Sequence, residues 1–369
     1  MAHHEKPTPA QSGSTDASNH PHLRLAEAEN KPYKPGIGGL GEPQYQPESL
    51  RIKGFCGEII ETMSQYCHYL ENVVFPAARK YGEITRIIDR VIIKAGLLLP
   101  KESLEFPLAT EAVVHLGGLW EGYDWAMNGA SLPGRVLTDD TRRQLLTQAR
   151  EAQHHTFVRP QPLQEGFTMH KISTASLSEM DINDLAEIFR LSFNGYLTPL
   201  ETPDQVRVWL AGENMYPVAV RNEKGKIVVV ANGDFARITF ENDNIQEFRF
   251  LEIGDSASHP DYRGQGINRH VKHFLLTEAV KMGFHSIHTE TRAAWISPNI
   301  ANSKNGMEYG GTLWSNCQIS GPENILETAD PNLNENSRRM GSLNIWAMTP
   351  LNPQWDYYLR LLHPKSGNT

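Results

Sequence analysis

Apolar residues recur at helical spacing through the first half of the chain, between Leu50 and about Phe157. One stripe, interrupted by Pro76, predicts an amphipathic helix and consists of Phe55, Ile59, Ile60, Met63, Cys67, Leu70 and Val74. Further helices are predicted over residues 77–99 and 108–127. A fourth helix is predicted to begin at Thr138 or Asp139, whose short polar side chains suit a helix N-terminus. The pattern predicts a small all-helical domain over residues 48–158.

The pattern changes after the linker RPQPLQEG, residues 159–166, whose two prolines and lack of an apolar period indicate a domain boundary. Beyond the linker, short β-type runs alternate with amphipathic stretches. Strands are predicted over 167–173, 216–221, 227–235, 248–258 and 286–291, and helices over 182–193, 268–282 and 298–305. This order predicts an α+β or α/β domain over residues 166–350, in which helices flank a mixed sheet.

The two ends of the chain lie outside these domains. Residues 1–47 are rich in Pro, Gly, Ser, His and charged residues and lack a sustained apolar period, which predicts a flexible, disordered tail. The histidines of the tail have no Cys or carboxylate at ligand spacing, so we predict no metal site there. Paired Glu-x-x-His motifs are also missing from residues 48–158, and we predict no metal site in the chain. Residues 351–369 form a C-terminal extension.

Composition excludes several classes of function. The net charge is −8, and Lys and Arg are scattered, which argues against a nucleic-acid or membrane surface. No apolar stretch is long enough to span a bilayer, and the first fifty residues lack a secretory core, so we expect a cytoplasmic protein. The three cysteines show no CxxC spacing, which indicates reduced and mostly buried thiols.

The run LEIGDSASHPDYRGQGINRHVKHFLLTEAVKMG, residues 251–283, carries the candidate chemistry. A strand ends near His259, and the sequence RGQG at 263–266 leads directly into a helix. The first turn of a helix presents unpaired amides and the positive end of the helix dipole, and glycine lets a diphosphate approach them. A P-loop would need a Gly-Lys-Ser/Thr ending, and a dinucleotide fold would carry its glycines early in the domain. Both alternatives are therefore rejected.

This run resembles motif A of the GNAT superfamily of acetyltransferases, in which Arg/Gln-x-x-Gly-x-Gly/Ala binds the pyrophosphate of acetyl-coenzyme A (acetyl-CoA). Arg263 and Gly266 match the motif, whereas Asn268 departs from the small residue expected there. Three segments are similar to the β-lysine N-acetyltransferase branch: EIGDSASHPDYRGQG (252–266), RAAWISPNIANSKNGMEYGGTLWSNCQISG (292–321) and SLNIW (342–346). The resemblance implies a GNAT fold with acetyl-CoA as co-substrate.

The resemblance also implies which residues bind the cofactor. The strand before the turn is expected to separate from its neighbour, with a bulge near Gly254, so that strand amides can bind the pantetheine arm and the thioester oxygen. An asparagine in the next helix is expected to contact the pantetheine arm. The predicted cofactor-binding residues are Ala257, Ser258, Arg263, Gly264, Gln265, Gly266, Ile267, Asn268 and Asn299.

Direct attack by the amine requires a proton acceptor, and Glu252 and Asp255 are the candidate catalytic residues. Either carboxylate could instead bind a cationic substrate or pair with Arg249 or Arg292. The helix position at which the resembled family often has a tyrosine acting as general acid is occupied by Asn302, so that role is unassigned. Tyr309 is an alternative acid, and an aromatic residue of the core is the other interpretation of it.

The leading hypothesis is an N-acetyltransferase that transfers an acetyl group from acetyl-CoA to a primary amine of a small cationic substrate, such as a lysine-like amino acid or a polyamine. One alternative is a regulatory protein that senses acyl-CoA without turnover. Another is an acyltransferase that uses a longer acyl-CoA or a carrier-protein donor. A role in amino-acid metabolism is expected, no nucleic acid or membrane is expected as a partner, and a homodimer remains open.

Overall fold

The computed structural model describes most of the chain from residue 43 onwards. The described residues are 43–46, 51–81, 84–97, 106, 108–132, 135–173, 177–193, 198–212, 214–240, 246–318 and 340–362. Most of the predicted tail and the last seven residues of the C-terminal extension lie outside this part. Within residues 1–47, the described segment Gln44–Gln46 is a strand paired with the next strand, so the prediction of a flexible tail is wrong for these three residues.

Twelve strands form one mixed sheet in the order β1-β2-β3-β5-β4-β11-β12-β10-β9-β8-β7-β6. The strands are β1 Gln44–Gln46, β2 Arg51–Ile60, β3 Arg86–Lys94, β4 Ala109–His115, β5 Tyr123–Ser131, β6 Thr168–Lys171, β7 Met215–Arg221, β8 Ile227–Phe240, β9 Gln246–Ser258, β10 Ser286–Arg292, β11 Glu308–Gln318 and β12 Met340–Met348. The pairs β2–β3 and β9–β10 are parallel, and the remaining pairs are antiparallel.

The α-helices flank this sheet. They are α1 Met63–Tyr69, α2 Phe75–Lys80, α3 Asp139–Gln153, α4 Glu179–Ser192, α5 Pro203–Leu210, α6 Ile267–Lys281, α7 Ile296–Lys304 and α8 Trp355–Leu362. A π-helical turn, Leu70–Val74, connects α1 to α2. No helix in the described ranges is both long enough and apolar enough to cross a membrane.

The prediction of an all-helical domain over residues 48–158 is wrong. The stripe that begins at Phe55 is strand β2 up to Ile60 and becomes helical only from Met63. The next predicted helix is interrupted by β3, and the third is replaced by β4 and β5. Both faces of β3 are buried, so its apolar residues form a continuous run without the alternation that indicates a strand. Its β-branched residues favour the strand.

The fourth predicted helix of this region is confirmed. Helix α3 begins at Asp139, and the side chain of its N-cap Thr138 accepts a hydrogen bond of 3.2 Å from the Thr141 amide. Ala152 near its C-terminus is buried in the same core as residues of α6 and β9. Residues 159–165 form neither helix nor strand, and the domain boundary placed there remains a prediction.

The mixed sheet flanked by helices predicted for residues 166–350 is confirmed. Every strand and helix predicted in this range is present, with ends that differ by a few residues. Helix α5 was missed, although Thr202 and Gln205 form a capping box at its start. The C-terminal extension contains α8, whose Tyr358 is fully buried against α6.

The core is divided between the two faces of the sheet. On one face, α6 and α8 cover apolar residues of β7–β10, and on the other face α4 and α5 pack on β7 and β8. The N-terminal strands fold over the second face of β9–β12. Trp120 stacks edge-on against Phe248 at 5.2 Å between ring centroids, and Trp125 lies 5.0 Å from Phe250. Both tryptophans are buried, Trp125 on β5 and Trp120 in the short 3-10 turn that precedes it.

The states of the three cysteines agree with the prediction of reduced and mostly buried thiols. Cys56 and Cys317 are buried and Cys67 is partly buried, and none of the three forms a disulfide within the described residues.

Candidate active site

The glycine-rich turn leaves a row of backbone amides open in front of α6. Gly264 and Gly266 have φ angles of +77° and +75°, in the left-handed region that favours glycine, and Gly266 is the N-cap of α6. A Cβ at either position would meet no other atom within 4 Å, so the space in front of the turn is open. The amides of Gly264, Gln265 and Gly266 donate to no backbone carbonyl of the described residues. Such a turn can bind an anionic diphosphate.

Arg263 and Asn268 frame this turn. The Arg263 side chain is exposed, and its Nε donates to the carbonyl oxygen of Ser258 at 3.3 Å, which holds the guanidinium beside the turn. The Asn268 side chain turns toward β9, where its Nδ2 donates to Ser256 Oγ at 2.7 Å. The departure of Asn268 from the expected small residue is therefore accommodated, because its amide connects α6 to the preceding strand.

Strands β9 and β10 separate where the sequence predicts an opening. Their parallel pairing ends at Glu252 and His288, although both strands continue for several residues. Beyond this point, β9 carries a bulge opposite β8, where Ala257 pairs with Val230 and Gly254 pairs with Asn232. The predicted bulge near Gly254 is confirmed, and the edge of β9 that faces β10 is open.

The end of β9 presents the Ser258 backbone to this open edge. His259 donates its amide to the Val228 carbonyl at 2.9 Å, and successive amides of a strand point to opposite edges. The Ser258 amide therefore points away from β8, and its carbonyl accepts hydrogen bonds from Arg263 and Ser192. By the same alternation, the Ala257 amide points toward β8. Of these two predicted residues, Ser258 is the one whose amide faces the opening.

The face of the sheet opposite α6 carries a group of carboxylates. Leu251 and Ile253 pack in the core with α6, so Glu252 between them points to the other face. Asp234 pairs with Glu252 across β8 and β9 and shares its face. Asp255 lies in the bulge with φ +42° and accepts a hydrogen bond of 2.7 Å from Nε1 of Trp209 on α5. Asp234 was missed by sequence analysis because its position depends on the register of two strands.

The N-terminal strands bring cations to the same face. Burial alone would raise the pKa of Glu252, but the neighbouring His288 ring, Lys53 and Arg90 lower it to about 2. The His288 Nε2 atom lies 3.6 Å from Glu252 Oε2, and Arg90 forms an ion pair with Glu290. Burial, the largest effect, lowers the pKa values of both Lys53 and His288. Glu252 is therefore ionised in a compact cluster of buried charges.

Part of this cluster has the ligands of a metal site, because ligand atoms of Glu252, His288 and Glu290 lie within 4.8 Å of one another. Arg90 already pairs with Glu290, and Lys53 and Arg90 both lower the pKa of Glu252. Protein cations thus balance the carboxylates that a metal ion would need. The absence of a metal site remains a prediction.

The arginines that could have paired with the candidate catalytic carboxylates have other neighbours. Arg249 forms an ion pair with Glu247. The Arg292 guanidinium lies over the rings of Phe193 and Trp295, at 5.1 and 4.5 Å from their centroids. These contacts hold Arg292 at the end of β10, near the open edge.

Asn299 is buried in a network between α7 and the sheet. Its Nδ2 donates to the carbonyls of Arg292 and Trp295 at 2.9 and 2.6 Å, and its Oδ1 accepts from Asn344 Nδ2 and Trp346 Nε1 at 3.0 and 2.7 Å. All four bonds are internal, and they hold the end of β10 against β12 and α7. The role of Asn299 in contacting pantetheine remains a prediction.

Comparison with known proteins finds a family whose model matches the central part of the candidate site. Residues 182–297 match the model of the acetyltransferase (GNAT) family. The N-acetyltransferase YodP of Bacillus subtilis is 24% identical over 160 residues, which are 43% of this chain and 52% of that protein. The chain thus spans about half the length of this curated relative.

The solved structures that are similar to about half of the chain include two N-acetyltransferases. The ribosomal-protein-S18-alanine N-acetyltransferase from Escherichia coli is 15% identical, with a TM-score of 0.34 over 50% of this chain and 93% of its own. A spermidine N-acetyltransferase from Vibrio cholerae is 12% identical, with a TM-score of 0.38 over 54% of this chain and 100% of its own. Nothing about the chemistry of this chain follows from these two likenesses.

Proposed function

We propose, from the premise that residues 182–297 are part of a GNAT acetyltransferase domain, that this protein is an N-acetyltransferase. It transfers an acetyl group from acetyl-CoA to a primary amine of a small cationic substrate by direct attack. The observation that carries this proposal is the separation of β9 from β10 beside an open glycine-rich turn. A diphosphate at the turn and a thioester at the open edge of β9 fit this arrangement.

Each predicted cofactor-binding residue has a role in this proposal. The amides of residues 264–268 bind the pyrophosphate, and Arg263 adds a positive charge that is exposed beside them. The Ser258 amide binds pantetheine or the thioester oxygen. Ala257 and Asn299 support the site from within the sheet, because Ala257 pairs with β8 and Asn299 holds β10 to β12.

The amine approaches from the face that carries Asp234, Glu252 and Asp255. Lys53 and Arg90 balance the charge of Glu252, whereas Asp234 and Asp255 add negative charge to this face. Such a face favours a cationic substrate, in keeping with a lysine-like amino acid or a polyamine. The resemblance to the β-lysine N-acetyltransferase branch supports the first of these acceptors. A cation would be attracted to the carboxylates before it loses its proton.

The two candidate catalytic carboxylates have different environments. Glu252, whose pKa is about 2, is a weak base near neutral pH, and Lys53 and Arg90 already balance its charge. Asp255 lies in the bulge beside the open edge and is oriented by the Trp209 indole N–H at 2.7 Å. We assign proton removal to Asp255, directly or through a water molecule.

The proposal is tested by measuring thiol release from acetyl-CoA against a panel of amino acids and polyamines. Saturable release with a lysine-like amine is expected, and Asp255→Asn should lower kcat by about 100-fold, the range of general-base catalysis. Asp204→Asn is the matched control, since this side chain on α5 is 94% exposed and should leave kcat unchanged.

The other outcomes separate the alternatives. Binding of acetyl-CoA without release on any amine would contradict turnover and favour a sensor. Release only with a longer acyl-CoA or an acylated carrier protein would contradict acetyl-CoA as the donor.

A further inference from the structure

Lys272 on α6 is a buried cation whose charge is not explained by an ion pair. Its residue exposure is 3%, and its Nζ donates to Asn302 Oδ1 at 2.6 Å. Asn302 in turn donates from Nδ2 to Thr291 Oγ1 at 2.8 Å. No carboxylate in the described part of the chain forms an ion pair with Lys272. Burying an ammonium group without an ion pair costs free energy, and a residue kept in such a place is a candidate for a functional group.

The position of Lys272 relates it to the opening between β9 and β10. Lys272 lies four residues after Asn268, so both side chains lie on the same side of α6. Asn268 reaches Ser256 on β9, and Lys272 reaches Thr291 on β10 through Asn302. Since β9 and β10 are no longer paired at this level, the two side chains connect α6 to both sides of the opening.

The proposed reaction needs a proton at this place. The amine nitrogen forms a bond to the carbonyl carbon, the carbon–sulfur bond breaks, and its electron pair remains on sulfur. An asparagine amide cannot supply a proton to this thiolate, but the ammonium group that Asn302 holds can. Tyr309 is less suited because it lies on β11, which is separated from β10 by β12, and its hydroxyl bonds Thr312 at 2.5 Å.

We propose that Lys272 is the general acid that protonates the coenzyme A thiolate as it leaves, with Asn302 as the positioning residue. This inference rests on the proposed acetyl transfer. One proton passes from the Lys272 ammonium to sulfur and gives the free thiol. The ammonium substrate loses one proton before attack and its nitrogen loses a second after attack, both through Asp255 to solvent. Lys272 regains one proton from solvent before the next cycle, so that one proton is released per turnover.

The electrostatics agree with this assignment. Burial lowers the pKa of Lys272 to about 8, close to the value of an ordinary thiol. Proton transfer between groups of similar pKa is efficient. Lys272 is mostly protonated at neutral pH, so it can donate, and its lowered pKa allows it to give up the proton.

Lys272→Met tests the inference, with Lys281→Met as the matched control on the same helix. Lys281 is 62% exposed and lies in the last turn of α6. We expect Lys272→Met to lower kcat about 100-fold and to remove the decline of kcat as pH rises above about 8. Lys281→Met should keep both the wild-type kcat and this decline. A Lys272→Met protein with the wild-type kcat and pH profile would overturn the inference.

A conservative variant covers the case in which Lys272→Met does not fold. Asn302→Asp keeps the shape of the side chain but places a carboxylate 2.6 Å from the ammonium, which favours the protonated form. We expect the alkaline decline of kcat to move to higher pH. An unchanged profile in a folded Asn302→Asp protein would contradict the role of Lys272.

A binding measurement separates this inference from the proposed function. The thiol pKa of bound coenzyme A is followed by the ultraviolet absorbance of its thiolate, which requires no turnover. An ammonium beside the sulfur should keep this pKa at least one unit lower in wild type than in Lys272→Met. If no amine supports thiol release, the proposed function fails, and equal thiol pKa values in the two proteins would show separately that Lys272 does not contact the sulfur.

Discussion

Replacement of Gly266 by alanine should weaken coenzyme A binding through a methyl group that the protein itself tolerates sterically. Gly266 has φ +75°, and a Cβ there would meet no protein atom within 4 Å. The cost to folding is therefore that of the left-handed conformation, about 1–2 kcal/mol. The methyl group would stand in the space through which we expect the diphosphate to reach the amides at the start of α6.

The expected loss of affinity is at least tenfold, equivalent to about 1.4 kcal/mol. Isothermal titration calorimetry with coenzyme A measures this loss, and urea denaturation measures the change in stability. Gly225→Ala is the matched control, because Gly225 has φ +79°, is equally open and lies in the turn between β7 and β8. It should lose about the same stability and keep the wild-type dissociation constant.

Two results would refute this reasoning. Wild-type affinity in Gly266→Ala would show that the diphosphate does not approach the amides at this glycine. An equal loss of affinity in Gly225→Ala would show that the effect arises from general destabilisation rather than from the turn.

Three further predictions concern individual side chains or a pair of them. Burial, the largest effect, raises the pKa of Asp89 to about 7 from 3.8. Asp89 therefore keeps its proton in the folded protein where the unfolded chain has lost it, and the stability that Asp89 contributes falls as pH rises from about 4 to about 7. The difference in unfolding free energy between wild type and Asp89→Asn, measured by urea denaturation at a series of pH values, should fall over this range, and a difference that does not vary with pH would contradict the raised pKa. Trp209→Phe removes the indole donor to Asp255 and should lower kcat about tenfold, with an unchanged dissociation constant for coenzyme A. An unchanged kcat would show that this hydrogen bond does not orient the carboxylate. Asn268→Ala and Ser256→Ala should each weaken coenzyme A binding a few-fold. Because the two side chains share one hydrogen bond, a double-mutant cycle should show coupling between them, and additive effects would contradict a shared role.

The fold of residues 166–350 was predictable because its elements have the periods that distinguish helices from strands. Helix α6 buries Ile267, Val271 and Leu275 on one side, at spacings of four residues. The glycines directly before the helix indicate a turn. The glycine-rich turn at 263–266 could be recognised for the same reason, since its residues are neighbours in sequence.

The N-terminal region was not predictable by the same reasoning. In β3, Ile88 and Ile92 pack toward β9–β12, whereas Ile87 and Val91 pack toward α1 and α2. A strand buried on both faces shows no alternation, and a run of apolar residues was assigned to a helix. The strand signal that remained was the high content of β-branched residues, which is a weaker indicator than periodicity.

The rest of the candidate site depends on contacts that sequence spacing does not encode. The bond from Trp209 to Asp255 joins residues 46 positions apart, and the bond from Lys272 to Asn302 joins residues 30 positions apart. The placement of Lys53 near Glu252 depends on the N-terminal strands folding over β9–β12. Sequence analysis therefore identified the glycine-rich turn together with Glu252 and Asp255, but missed Asp234, Trp209 and Lys53, whose places depend on the tertiary fold.

The most direct test of acetyl transfer by direct attack is the stoichiometry of the reaction. Thiol release from acetyl-CoA and the acetylated amine are quantified in the same sample, the amine by mass spectrometry, with a parallel sample that lacks amine. We predict one acetylated amine per thiol released, and no thiol release or protein acetylation when the amine is omitted. Thiol release without an acetylated amine, or an acetyl group retained on the protein, would contradict the account.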